Sequence, residues 1–275
     1  MRGEVMRVWT VMVKIGRLYP ALLLALLLPY VHCVAAPPDG GRPEAPAVIR
    51  VVMDNNYPPY VFLGSDGGVQ GLLVDQWRLW ERKTGVAVEL TAMDWNSALV
   101  AMREGRFDVI DTIFTTDERR QWLDFTHPYA RLEVPVFFNK EISGITDIES
   151  LRGFVVAVKK GDAAVELLQR HGIDNLLQFN GYEDIVQAAM EHKVNVFVVD
   201  KPPGLYFLYK YGIQDRFRES EPLYVGQFHR AVRKGDAALL QTIEAGFGRI
   251  SAAEFKVIER RGCGASISSL IPYRL

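Results

Sequence analysis

An α/β fold built on parallel sheets is predicted by three features of this 275-residue chain. Short β-rich apolar runs alternate with stretches of helical periodicity, the pattern of parallel strands joined by crossover helices. The run after Phe107 breaks into hydroxyls at Thr112, Thr115 and Thr116, with Arg119 just beyond. The carboxyl end of a strand is where such sheets take small ligands. The apolar pattern is lost over residues 139–144 and then starts again, so the chain holds two α/β units.

Each element has its own local reason. Residues 48–53 form the first strand, and Pro58 and Pro59 stop it and fix a turn. Residues 64–68 are a Gly-rich hairpin tip. A helix then places Leu72, Leu73, Trp77 and Trp80 on its apolar positions and ends at Gly85. After a strand over 86–90, Asn96 is expected to cap a helix that stops at Gly105. The central strand follows Phe107. Asp117 and Glu118 are expected to open a helix, since acids favour a first turn. A strand over 132–138 closes the first unit.

The second unit opens at 146–149, which has capping-box spacing. Its strands are 154–158 and 196–199, its helices 162–171 and 183–191, and Pro202-Pro203 begin a further helix. The return strand lies within 224–232, and helices 236–250 and 251–261 follow, the last with a Ser251 to Glu254 capping box. Residues 263–275 have no clear pattern.

The N-terminus has the order of a secretory signal peptide: Arg2, Arg7, Lys14 and Arg17, then an apolar run over 18–31, then small residues to Ala36. Cleavage near Ala35 is expected; an uncleaved anchor is the alternative, although the run is short for a span of ~20 residues. Cleavage removes four basic groups and one acid, taking the net charge from −1 to −4. It also removes Cys33, so Cys263 has no partner and stability must come from the core. The near-neutral charge gives no footprint for nucleic acid.

Tyr57-Pro58-Pro59-Tyr60, Gly71 with Asp75, Trp95, Gly105 with Asp108, Arg119 and Phe125 occur in order, followed by residues 156–161 and Val198-Val199-Asp200. From about Ile49 to Glu259 the set resembles the family 3 periplasmic solute-binding proteins of the polar amino-acid receptor type. The resemblance implies a bilobal periplasmic-binding-protein fold of type II, two parallel-sheet lobes joined by two crossing strands. Lobe one would be 48–137 plus 229–262 and lobe two 138–228, after a signal peptide (1–35) and leader (36–47) and before a tail (263–275). Residues 160–164, 199–203 and 227–232 look closer to the sensory versions fused to histidine kinases or diguanylate cyclases. A periplasmic receptor or sensor domain is implied, taking a small polar ligand such as an amino acid. Its partner would be a membrane transporter or a membrane-bound signalling protein, with no cofactor and no metal.

The same resemblance assigns the site. Arg119 offers a planar fork that fits a carboxylate bidentately, and the resemblance gives it the ligand's α-carboxylate; otherwise it is a surface arginine beside Arg120. Asp200, ending an apolar strand, would take the ammonium, unless it only caps the Pro202 helix. Asp54, Tyr57, Trp95 and Thr112 complete the expected site. Phe114 and Asp162 stand where amino-acid binders place hydroxyls, and an acid at a helix start repels an anion. The enzymatic alternative on this fold is a dehydratase of the cyclohexadienyl type. It needs an acid or base such as Glu183 or His127 facing the pocket.

Overall fold

The computed structural model describes residues 48–262. The expected signal peptide, leader and tail, with Cys33 and Cys263, lie outside the described residues. In chain order the elements are β1 (Val48–Asp54), β2 (Asn56–Tyr57), β3 (Val61–Leu63), β4 (Val69–Gln70), α1 (Leu72–Thr84), β5 (Ala87–Met93), α2 (Trp95–Arg103) and β6 (Val109–Ile113). Then come β7 (Leu123–Phe125), β8 (Ala130–Val134), β9 (Val136–Asn139), β10 (Val156–Lys159), α3 (Ala163–Arg170), β11 (Leu176–Phe179) and α4 (Tyr182–Met190). The chain continues through β12 (Val196–Val198), α5 (Lys201–Lys210), β13 (Phe217–Glu219), β14 (Tyr224–Arg233), α6 (Ala237–Phe247) and α7 (Ala252–Gly262).

Two sheets define two lobes. The first has the order β5-β1-β6-β14-β7, with β8 paired to β14; the second is β11-β10-β12-β9-β13. Within each, three strands pair in parallel, and the pairings made by β14 in the first sheet and by β9 in the second are antiparallel. The parallel strands end at the cleft between the lobes. A strand arriving from the other lobe starts at that cleft, so β9 and β14 must run against their neighbours. Val136, the first residue of β9, accordingly pairs with Val198, the last of β12.

The crossings are narrow. Pro135 has no N–H to give a ladder and separates β8 from β9, where a single strand over 132–138 was expected. The second crossing is residues 220–223, which include Pro222; Leu223 N–H donates to Val134 O and Ser220 N–H to Val136 O, both at 2.9 Å. The expected lobe limits at 137–138 and 228–229 therefore fall inside β9 and β14, because pairing and not composition sets where the sheet changes.

Helix α1 buries Leu72, Leu73, Trp77 and Trp80, and Gly85 ends it in the left-handed region at φ 75°, giving its N–H to Glu81 O. Helix α7 keeps the expected capping box: Ser251 N–H donates to Glu254 Oε2 at 2.9 Å, and Glu254 N–H to Ser251 Oγ at 3.3 Å. Three local expectations fail. Asp94, not Asn96, caps α2, its carboxylate accepting from Ser97 N–H at 3.0 Å. Capping by Asn96 would start the helix two residues late and leave Trp95 outside it. The helix expected at Asp117 is a single 3₁₀ turn, Arg119–Gln121, because β7 starts at Leu123 and leaves no length for more. The capping-box spacing at 146–149 likewise leads into a 3₁₀ turn, Glu149–Leu151.

Candidate ligand-binding cleft

Every expected site residue sits at the cleft end of an element. Asp54 ends β1, Tyr57 lies in β2, Trp95 opens α2 after β5, Thr112 lies near the end of β6 and Phe114 directly follows that strand. From the second lobe Asp162 precedes α3 and Asp200 follows β12. These seven, with Arg119, line one inner cavity of about 10 Å³, and two residues not read from the sequence join them: Lys159 and Tyr182. A second cavity, of about 490 Å³, also has Arg119 and Asp162 in its lining.

Arg119 is buried, 4% exposed, which removes the surface-arginine reading. Its guanidinium donates to Phe114 O in its own lobe and to Gly161 O across the cleft, each at 2.7 Å. Burial lowers its pKa, opposed first by the negative charge of Asp162. Both observed partners are carbonyls, so the cation has hydrogen bonds but no direct carboxylate partner among the described residues. Trp95 Nε1–H also donates to Gly161 O, at 3.1 Å.

Asp200 is not a helix cap. Pro202 and Pro203 occupy the first turn of α5, where a capping carboxylate would need amide hydrogens, and no side-chain cap bond forms. Its Oδ2 accepts from the Tyr57 hydroxyl across the cleft, while its buried Oδ1 has no hydrogen-bond partner among the described residues. Burial, then the charge of Asp162, pushes Asp200 up to about 7, against the pull of the Tyr57 hydrogen bond and of Lys159. Asp162 does cap its helix, accepting from Ala164 N–H at 3.2 Å, and its other oxygen accepts from the Tyr182 hydroxyl. The tyrosine hydroxyls of Tyr57 and Tyr182 are raised well above their ordinary value, burial being the main cause.

The remaining cation is Lys159, which ends β10. Its ammonium donates to Asp54 Oδ2 at 2.6 Å, lobe to lobe, with the two side chains 3% and 1% exposed. The signal for it was the one that marked Asp200, a charged residue at the carboxyl end of an apolar strand. Tyr182 had no such mark, since a tyrosine at a helix start is ordinarily core.

Thr112 has φ 61°, in the left-handed region, and its N–H donates to Asp111 Oδ1 at 2.6 Å. Phe114 packs on Phe228 at 5.3 Å between centroids and meets Tyr224 edge-on. It fits only because Gly226 lacks a side chain: a Cβ there would come within 2.1 Å of the Phe114 ring. Gly226→Ala should therefore lower stability by ~1–3 kcal/mol, the usual cost of overpacking. An unchanged melting temperature would mean that the ring swings aside freely.

Neither Glu183 nor His127, the two examples of an acid or base for dehydratase chemistry, lines this cavity. Glu183 is held by Asn56, Lys210 and Tyr211. The His127 side chain is 93% exposed and pairs with Glu244 on the first lobe.

Two α/β lobes with charged groups converging on the cleft between them define a bilobal binding protein. The chain belongs to the bacterial extracellular solute-binding proteins, family 3, whose model matches residues 49–261. It is similar to the virulence sensor protein BvgS of Bordetella pertussis, 27% identical over 124 residues, or 45% of this chain and 10% of that one. It is also similar to the L-cystine-binding protein TcyJ of Escherichia coli K12, 30% identical over 46% of this chain and 49% of that one. The matches thus span a tenth and about half of those relatives' lengths. Among solved structures, a histidine kinase sensor domain with similarity to periplasmic binding proteins aligns with a TM-score of 0.73 and 25% identity, over 79% of this chain and 96% of that one. An ancestral arginine-binding protein bound to glutamine aligns with a TM-score of 0.70 and 23% identity, over 79% and 98%, which shows the fold. The function these relationships carry is capture of a small solute by a binding protein or sensor domain. Family members are binding proteins and extracytoplasmic.

Proposed function

We propose that this protein captures a small carboxylate-bearing ligand, an amino acid or a relative of one, between its lobes and signals by closing. It acts in the periplasm after export by a cleaved signal peptide, and changes no covalent bond in its ligand. Arg119 takes the carboxylate, and the other seven expected residues form the remainder of the site. The single observation that carries this reading is the guanidinium of Arg119, bonded only to carbonyls, facing the same cavity as the unpartnered oxygen of Asp200 on the opposite lobe. A ligand satisfying both ends would draw the lobes together. The similarity to a virulence sensor and to an amino-acid receptor supports a membrane partner, either a signalling protein or a transporter.

Calorimetry against amino acids and organic acids should find a ligand that is recovered unchanged; recovery of a product would favour dehydratase chemistry. Arg119→Lys keeps the charge but loses the fork. Charge-assisted hydrogen bonds are worth about 1.5–3 kcal/mol, so affinity should fall by roughly tenfold or more. Binding equal to the parent's would place the carboxylate elsewhere.

A further inference from the structure

The ammonium of Lys159 lies in what is chemically a receptor for a cation. Its Nζ is 3.9 Å from the centroid of the Tyr182 ring, 5.0 Å from that of Tyr57 and 5.7 Å from that of Trp95. Asp54, at 2.6 Å, supplies the countercharge. Aromatic faces closed by a carboxylate are what an organic ammonium or guanidinium seeks. Here the cation comes from the protein itself, on a stem rooted at the end of β10.

The consequence is electrostatic. Arg119 lies 5.5 Å from the same Trp95 ring, so two cations already border that wall. A ligand with a basic side chain would add a third positive charge where Asp54 is already neutralised, and like charges repel strongly in a buried site.

We propose that Lys159 sets the ligand class of the cleft by holding the place of a cationic ligand group, so that small carboxylates without a positive side chain are accepted and basic ones rejected. This rests on the reading above that Arg119 takes the ligand carboxylate. Lys159 is then the residue that decides specificity, and truncating it should turn a closed cage into an open one that Asp54, Tyr57, Tyr182 and Trp95 still line.

The test is calorimetry on the parent and Lys159→Ala with L-arginine, L-lysine, L-alanine, L-serine and succinate. In the parent the two basic amino acids should bind at least about tenfold more weakly than the best of the other three. In Lys159→Ala, checked for folding by circular dichroism, L-arginine should gain about tenfold or more, because the cage and its carboxylate are freed. A parent that prefers L-arginine or L-lysine overturns the proposal, and this arm stands even if the variant does not fold. A folded variant that takes L-arginine no better than the parent overturns it as well. If neither protein takes any of the five, the cleft reading itself fails and the inference falls with it.

Discussion

Asp111→Ala should destabilise the protein by about 3–5 kcal/mol, the cost of breaking a buried ion pair by removing one partner. Asp111 is fully buried in β6, and three donors converge on its carboxylate. Trp77 Nε1–H donates to one oxygen at 2.7 Å, and the Tyr129 hydroxyl and Thr112 N–H to the other, each at 2.6 Å. Arg230 Nε lies 3.2 Å away, in ion-pair range though not aimed as a hydrogen bond. Alanine would strand the Arg230 charge, 4% exposed, among the rings of Phe247, Tyr129 and Trp77. It would also release Thr112 from the bond that accompanies its left-handed backbone. For a protein of this size the loss corresponds to a fall of roughly 6–20 °C in melting temperature. Asp111→Asn, which keeps acceptor and shape but not charge, should fall in between. A loss below about 1 kcal/mol for the alanine variant, by urea or heat, would mean that the three donors and Arg230 are satisfied elsewhere.

The second large effect is on pH. Unfolded, Asp200 titrates near 3.9; in the folded protein burial and Asp162 hold it at about 7. Between those values the native state carries the extra proton. This group's contribution is therefore fully present below about pH 4, is lost as pH rises to about 7, and is flat above, a change on the order of 4 kcal/mol. Other carboxylates act in the opposite direction. Asp108, held low by Arg50, and Glu254, held at about 2 by Lys83 and Ser251, contribute stability that is fully present above their unfolded values and is lost as pH falls toward their folded ones. The parent's own profile is the sum of such slopes, so the informative quantity is the difference from Asp200→Asn. The amide still accepts from Tyr57 and never ionises. The two proteins should be of similar stability near pH 4, with the variant pulling ahead as pH rises toward 7.5. A difference that does not change with pH would show that Asp200 titrates as an ordinary carboxylate.

Much of the fold was legible because it is written locally. The tryptophans of α1 recur at helical spacing, Gly85 stands where a left-handed residue must end that helix, and Ser251 and Glu254 cap α7 as their spacing demands. The ordered motifs also brought eight separated residues to one cleft, since each closes a strand or opens the helix after it. What residues do to one another across that cleft is not local. Arg119 was expected in a helix and is instead a buried 3₁₀ residue, because the early start of β7 leaves a single turn. Asp200 was open to a capping role until the first turn of α5 placed two prolines where amides were needed.

The sequence by itself determined the α/β alternation, the division into two units and the charged residues at strand ends, since these follow from periodicity and from the chemistry of turns. Only the tertiary structure decided that Lys159 pairs with Asp54, that Tyr182 lies under its ammonium, and that Asp111 gathers Trp77, Tyr129 and Arg230. Those partners are separated by 105 residues for Lys159 and Asp54, and by 34 for Trp77 and Asp111. No local pattern encodes such a pairing; it arises when crossover connections bring strand ends together and burial leaves each charge no partner but the one opposite.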